Sequence, residues 1–478
     1  MPIVKVSNNL VIQGADSELK DYLKELLTLL NPEWLDAQTF GRWTGNIPKY
    51  ISQYEEIDEN VIVPRGIFVH LTQDLGYEFE VQDSRAAPIA DKDWPEGNII
   101  LRPNDQEPAV QELLQHQCGF LSAPAGSGKT VMGLEAARRL GLKALWLTHR
   151  KELKEQAIDR AVELLEIPRQ DIGVFHGKTW KQGPQLTVGM IPTLRKRDLS
   201  EISEDFGVVI IDEAHHVPSS TFLQVAGQMN AKYLYGLTAT AYRRDKLDSI
   251  MFHAIGPIIS RIEHVELFED EHLIKPTIRR RLTGWCPKDS MTMEYHDFME
   301  AMVTSKFRND MIVGDIAREC QDSRNTCVVL VERTKHAELL TELLKDQGVD
   351  CEFVVGSIDV EDDSGKKKRK KKAIPKDVRN QIVNDFKEGE IQVLVATYDL
   401  LAEGFDYRPL NRLFLATPIK WKGTVVQAIG RVQRPCEGKT GAVVYDYVDG
   451  DIAMFWKQAD ARLHRVYRPM GMPVEDTQ

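Results

Sequence analysis

Three groups of residues in this 478-residue chain could do chemistry on a nucleoside triphosphate. The first is Ala123-Pro124-Ala125-Gly126-Ser127-Gly128-Lys129-Thr130. Its glycines let backbone N–H groups fold inward around phosphate oxygens, and a helix N-terminus behind them adds a favourable dipole. Ala125, Gly126, Ser127 and Gly128 would wrap the phosphates, Lys129 would reach the β- and γ-phosphates, and Thr130 would hold Mg2+ through its hydroxyl. The second group is the carboxylate pair Asp212-Glu213, which ends the apolar run Val208-Val209-Ile210-Ile211. A carboxylate there is costly without a partner. Mg2+, partly through water, is the expected partner of Asp212, and Glu213 would orient and deprotonate an attacking water. The third group is Arg431 and Arg434, whose spacing of three predicts one face of a short helix. In a closed state they would reach the γ-phosphate as arginine fingers, an effect worth roughly 10³–10⁵ in rate.

Strands must deliver these groups. From about 98 to 262, short apolar runs alternate with amphipathic stretches such as Lys151 to Leu165. The runs are Gly119-Phe120-Leu121, Ala144 to Leu147, Leu186-Thr187-Val188, Val208 to Ile211 and Tyr233-Leu234-Tyr235. Such alternation predicts a parallel sheet covered by helices. A second set comprises Val328 to Val331, Phe353-Val354-Val355, Val393-Leu394-Val395, Leu413-Phe414-Leu415 and Val443-Val444-Tyr445. It predicts another α/β domain over 263–450, with a leading segment whose fold stays open. Beyond it, 451–478 reads as a helical tail in which Ala453 to Tyr467 forms a basic helix. Residues 1–97 read as a small α+β domain. Asp21 to Leu27 has helical spacing, and Val61-Ile62-Val63 and Ile67-Phe68-Val69 resemble strands around Pro64-Arg65-Gly66. Asp91 to Asn98 is the expected linker.

Composition narrows the class. Hydrophobic residues make up 42% and charged residues 28%, as in a globular protein with substantial cores. No apolar run approaches the ~20 residues of a bilayer span. The start, Met1-Pro2-Ile3-Val4-Lys5, lacks the layout of a secretion signal, so a cytoplasmic protein with no membrane partner is expected. Cys118, Cys286, Cys320, Cys327, Cys351 and Cys436 are scattered without a Cys-x-x-Cys pair, which argues for reduced thiols over zinc. The net charge of −11 does not exclude nucleic acid, because a groove grips phosphates locally. Residues 1–97 hold 8 Lys/Arg against 17 Asp/Glu and are a poor general phosphate surface. The run Lys366 to Lys372 reads as a mobile loop, either a solvated tip or a phosphate grip; a nuclear-import signal is the third reading.

In order and spacing these motifs resemble those of superfamily 2 helicases over about 98–450. The resemblance implies two RecA-like parallel-sheet domains forming a helicase core, 98–262 and 263–450, with ATP and Mg2+ as its cofactors. Ala123 replaces the usual first Gly of the phosphate loop, as is frequent in that superfamily. By the same resemblance Gln106 would read adenine, and Gln427, with Gly430, stands at the helicase offset from the arginines. His215, Thr238 and Thr240 would couple hydrolysis to movement. Gly404 and Asp406 belong to the motif that senses both ATP and the strand. Arg150, Thr193, Arg243, Thr334 and Thr397 are candidate phosphate contacts that position a strand without reading bases. Tyr398 and Trp421 are candidates for base stacking or for the core; His216 reads equally well as a surface residue.

The stretch Phe40-Gly41-Arg42-Trp43-Thr44-Gly45-Asn46-Ile47 resembles a segment of UvsW-type phage helicases, which remodel branched DNA. The implied partners are single-stranded and branched duplex DNA, with replication or recombination proteins beside a monomeric enzyme. Residues 1–97 would then shape substrate choice. The alternatives are an RNA helicase and a DNA-stimulated ATPase subunit that remodels without unwinding.

Overall fold

The computed structural model describes residues 1–39, 41–214, 224–239, 248–270, 272–360, 370–398, 407–419 and 422–477. They form two compact units: Met1–Pro124 with Gly128–Ile262, and Glu263–Gln478 with Ala125–Ser127.

In the first unit the main sheet has eight strands. Their order is Thr179–Lys181, Gly173–His176, Leu186–Met190, Ala144–Thr148, Val208–Ile211, Tyr233–Thr238, Cys118–Ser122 and Ile258–Arg261. Every neighbouring pair is parallel except the edge pair of Thr179–Lys181 and Gly173–His176. Val208–Ile211 is buried at all four positions, as a strand covered on both faces by helices must be. Phe120, Leu145, Leu147, Val209, Ile211 and Leu234 lie at the centre of its core.

Residues 1–97 build a second sheet, ordered Glu55–Ile57, Asn60–Pro64, Asn9–Gln13, Ile3–Val6 and Glu80–Asp83. The helix Ser17–Leu26 buries Leu19 and Leu23 in that sheet's core, alongside Val4, Leu10, Val61 and Val63. Ile67-Phe68-Val69 is not a strand: a 3-10 turn at Arg65–Ile67 leads into a helical turn, His70–Asp74. The helical path places Ile67 and Leu71, four apart, together in this core. It also lays Gly66 against a neighbouring backbone, where a Cβ would stand 2.5 Å from Gly256 N and 2.6 Å from the carbonyls of Phe252 and His253.

The small sheet is bound tightly to the large one. Arg65, buried with its pKa lowered by burial to about 10, donates from Nη1 to the Ala231 carbonyl at 2.6 Å. Asn8 Nδ2 donates to Gly227 O at 2.7 Å, and Asn230 Nδ2 to Ser84 O at 3.0 Å. The expected linker is a strap. Ala86 bridges Ala231, Asp91 N–H donates to Pro184 O at 2.8 Å, and Asn98 N–H donates to Leu164 O at 2.7 Å.

The second unit carries a seven-stranded, wholly parallel sheet. Its order is Cys351–Val354, Val393–Thr397, Cys327–Val331, Arg412–Leu415, Val443–Val448, Thr277–Leu282 and Val474–Thr477. Thr277–Leu282 escapes apolar pattern reading because Arg279, Arg280 and Arg281 fill its middle. Carboxylates answer them: Asp315 at 2.8 Å from Arg281, Glu319 at 3.3 Å from Arg279, and Asp476 at 3.1 Å from Arg280. The C-terminal segment differs from a helical tail. The helix Ala453–Arg462 runs into a π turn, Leu463–Tyr467, and the chain then returns as the strand Val474–Thr477. Nor is it a basic surface throughout, since Arg462 is buried on Asp446. The lysine run is not all loop: Lys370–Ala373 pairs antiparallel with Ser357–Val360, and 361–369 lies outside the described residues. No helix among the described residues is long and apolar enough to cross a membrane.

Because Gly66 meets fixed backbone, Gly66→Ala should destabilise the first unit by roughly 1–3 kcal/mol, the usual cost of overpacking. Urea unfolding of the full chain reads this directly. An unchanged midpoint would mean that the two sheets do not depend on that contact.

Candidate active site

In an open parallel sheet, ligands gather at the carboxyl ends of the strands. The first unit places its candidate groups there. Cys118–Ser122 leads into the phosphate loop, and Ala123 N–H donates to Thr238 O at 3.0 Å, which ties the loop to the end of the neighbouring strand. Thr238, assigned a coupling role from the sequence, is therefore bonded through its backbone to the phosphate loop. Gly126 (φ +87°) and Gly128 (φ +91°) take left-handed conformations that other residues adopt at a cost of roughly 1–2 kcal/mol. They turn the chain into the helix Lys129–Leu140, whose first turn also contains Thr130.

Lys129 is more enclosed than a loop lysine, being buried as the first helical residue. Its Nζ donates to the carbonyls of Ala123 (3.0 Å) and Pro124 (3.2 Å) and stands 3.8 Å from Glu213 Oε1. Asp212 directly follows the strand Val208–Ile211, and its N–H donates to Leu147 O at 2.9 Å. Burial raises its carboxyl to about 7, the adjacent Glu213 adds to the rise, and Lys129 opposes it. Glu213 sits at φ +48°. Such strain persists only where the surroundings impose it, and it favours functional sites. The donor set suits a divalent cation, because Asp212 is a buried carboxylate with a second carboxylate, Glu213, directly beside it.

Gln106 opens the helix Gln106–Gln115 and is buried. Its Oε1 accepts from Arg102 N–H at 3.0 Å, and a Cβ on Gly128 would come 2.4 Å from its Nε2. The carboxamide therefore lies against the phosphate loop. Sequence reading missed the support beneath it: Arg102 Nε donates to Asp105 Oδ1 at 2.9 Å. The only signal was their spacing of three.

Arg150 caps the helix Lys151–Leu165 two residues after the strand ending at Thr148. Thr193 lies three residues beyond the strand ending at Met190 and accepts from Gly177 N–H at 3.2 Å. In the second unit, Thr334 begins the helix Thr334–Asp346 after Cys327–Val331, and Thr397 ends Val393–Thr397. Both occupy carboxyl ends. Tyr398 donates its hydroxyl to Thr417 O at 2.9 Å. Gln427 and Arg431, four apart, share a face of the helix Lys422–Val432. Arg434 does not: the helix ends at Val432, and Pro435 bars its predecessor from helical dihedrals. Phe40, His215, His216, Thr240, Arg243, Gly404, Asp406 and Trp421 lie outside the described residues.

A phosphate loop and an acidic pair on one parallel sheet, followed by a second such sheet with Arg431 on a late helix and Arg434 just beyond it, define the core of a nucleotide-driven motor. Residues 99–243 match the family described as type III restriction enzyme, res subunit, and residues 310–436 match the helicase conserved C-terminal domain. This chain belongs to the superfamily 2 helicases and is an ATP-hydrolysing enzyme. It is 25% identical to a candidate ATP-dependent RNA helicase of Acanthamoeba polyphaga mimivirus, over 96% of this chain and 82% of the other. It is 22% identical to the ATP-dependent DNA helicase uvsW of Enterobacteria phage T4, over 86% and 82%. The fold is similar to a fragment of a candidate HsdR subunit of a type I restriction enzyme from Vibrio vulnificus. The TM-score is 0.58 at 15% identity, covering 98% of this chain and 84% of that one.

Gly128→Ala should cripple nucleotide binding while the protein stays folded. The new Cβ meets both an unfavourable φ and the Gln106 amide. A loss of at least about tenfold in affinity for a fluorescent ATP analogue, the equivalent of ~1.4 kcal/mol, is expected. Unchanged affinity would show that the loop does not need its left-handed turn.

Proposed function

We propose that this helicase acts on DNA, moving along one strand and unwinding or branch-migrating forks and junctions during replication, recombination or repair. The observation that carries the reading is the meeting of Lys129, Asp212 and Glu213 at one sheet edge, with Arg150 and Thr193 following neighbouring strands of that edge. Lys129 would exchange its loop carbonyls for the β- and γ-phosphates, and Gln106 would hold the adenine. Glu213 would align the attacking water and take its proton. Gln427, Arg431 and Arg434 would face the charge that builds on the γ-phosphate. Thr130 and Asp212 would hold Mg2+, which neutralises phosphate charge when bound.

Phosphate contacts from Arg150, Thr193, Thr334 and Thr397 would position a strand irrespective of sequence. The phage T4 relative, named a DNA helicase, and the res-subunit match of 99–243 support DNA. The mimivirus relative, named for RNA, supplies the rival substrate. The res-subunit match of 99–243 supports a second reading, an ATPase that remodels DNA without separating strands.

Glu213→Gln should retain ATP binding and lower kcat by about 10²–10⁴-fold, the range of a general base. Lys129→Ala should lose both binding and turnover. ATPase of the purified protein, measured in parallel with single-stranded DNA, duplex, RNA and a four-way junction at stated salt, tests the substrate. The junction and single strand should stimulate most. Stimulation that requires the 2′-OH would transfer the assignment to RNA. Branched-DNA stimulation without strand separation would support the remodelling ATPase.

A further inference from the structure

The segment from Ala416 to Arg434 is gripped by its backbone from both ends. Before the helix Lys422–Val432, three carbonyls each accept from a side chain rooted elsewhere in the second unit. Arg308 Nη1 donates to Ala416 O at 2.7 Å, Tyr398 Oη to Thr417 O at 2.9 Å, and Arg462 Nη1 to Ile419 O at 2.9 Å. Both arginines are buried, and each has its own carboxylate. Arg308 Nε pairs with Asp449 at 2.9 Å, while Arg462 donates to both oxygens of Asp446 at 2.9 and 2.7 Å. The carboxylates are themselves held, Asp449 by Thr283 Oγ1 at 2.6 Å and Asp446 by Tyr467 Oη at 2.8 Å. After the helix, Ile274 N–H donates to Gln433 O at 2.7 Å. Lys439 Nζ donates to Arg434 O at 2.9 Å and to Arg408 O at 3.0 Å.

Buried ion pairs are a poor route to stability, because desolvation offsets most of the attraction and apolar residues often do as well. Two of them sharing one short stretch of carbonyls fit a different purpose. A guanidinium spanning a carboxylate and a carbonyl fixes position and direction together, since its planar donors are rigid.

We propose that Arg308, Arg462 and Lys439 are positioning residues for ATP turnover, setting the helix Lys422–Val432 and Arg434 where their side chains act. The proposal rests on the reading of Gln427, Arg431 and Arg434 as groups that face the triphosphate. Tyr398 adds a link: it follows Thr397, so the candidate strand contact and the arginine helix are tied to one run of carbonyls.

The test uses the full chain with saturating single-stranded DNA, comparing Arg462→Lys and Lys439→Met with Arg431→Ala as reference. Arg462→Lys keeps the charge on Asp446 but cannot also span to Ile419; Lys439→Met keeps the stem and removes the donors. Both should lower kcat by roughly tenfold to a hundredfold, the scale of a small misplacement, with KM for ATP little changed. Thermal unfolding should remain above the assay temperature, and hydrogen exchange should quicken in the peptide spanning 416–434. An unchanged kcat in both variants, with Arg431→Ala strongly impaired, would overturn the proposal and leave these residues as packing. Faster exchange with Arg431→Ala fully active would overturn it differently, showing that the grip exists but the helix takes no part in turnover.

Discussion

One cation and two carboxylates share a poorly hydrated edge of the first sheet, and much of that unit follows from keeping them there. A carboxyl raised to about 7 by burial is unstable as an anion unless charge arrives to meet it. Lys129, 3.8 Å from Glu213 Oε1, opposes that rise and is itself hydrogen-bonded to two loop carbonyls. In the function we propose, phosphate oxygens would replace the loop carbonyls on the lysine, and a divalent cation would give Asp212 a counter-charge. The strand that leads to Asp212 is buried at every position.

The second unit solves a different problem. Its buried charges come already paired: Arg308 with Asp449, Arg462 with Asp446, and Arg281 with Asp315. Removing one member of such a pair typically costs 3–5 kcal/mol, as an order of magnitude, because the other is left stranded. Two of them, Arg308 with Asp449 and Arg462 with Asp446, lie under the chain that carries the late arginines, each guanidinium also donating to one of its carbonyls.

The sequence was most legible where burial left a plain mark. Val208–Ile211, Cys327–Val331 and Val393–Thr397 are continuous apolar runs, and each became a central parallel strand. Thr277–Leu282 was hidden because long-range carboxylates, invisible in a local window, neutralise its arginines. Ile67-Phe68-Val69 looked like a strand, but the chain there is helical, next to Gly66 packed on the backbone at Phe252 to Gly256, far along the chain. Arg434 shows a local rule defeating a spacing rule: three residues from Arg431 suggested one helix face, and Pro435 ended the helix first. The phosphate loop, by contrast, needs only local chemistry, so glycines and a lysine announced it.

The strap from Ala86 to Asn98 and the bond from Arg65 to Ala231 also constrain the order of folding. Arg65 and Ala231 are 166 residues apart, and Asn8 waits 219 residues for Gly227. During synthesis, at roughly 5–20 residues per second, the small N-terminal sheet emerges many seconds before the carbonyls it docks against. Contacts so distant in sequence are closed late and slowly. On the ribosome Arg65 therefore emerges well before the Ala231 carbonyl that accepts its hydrogen bond.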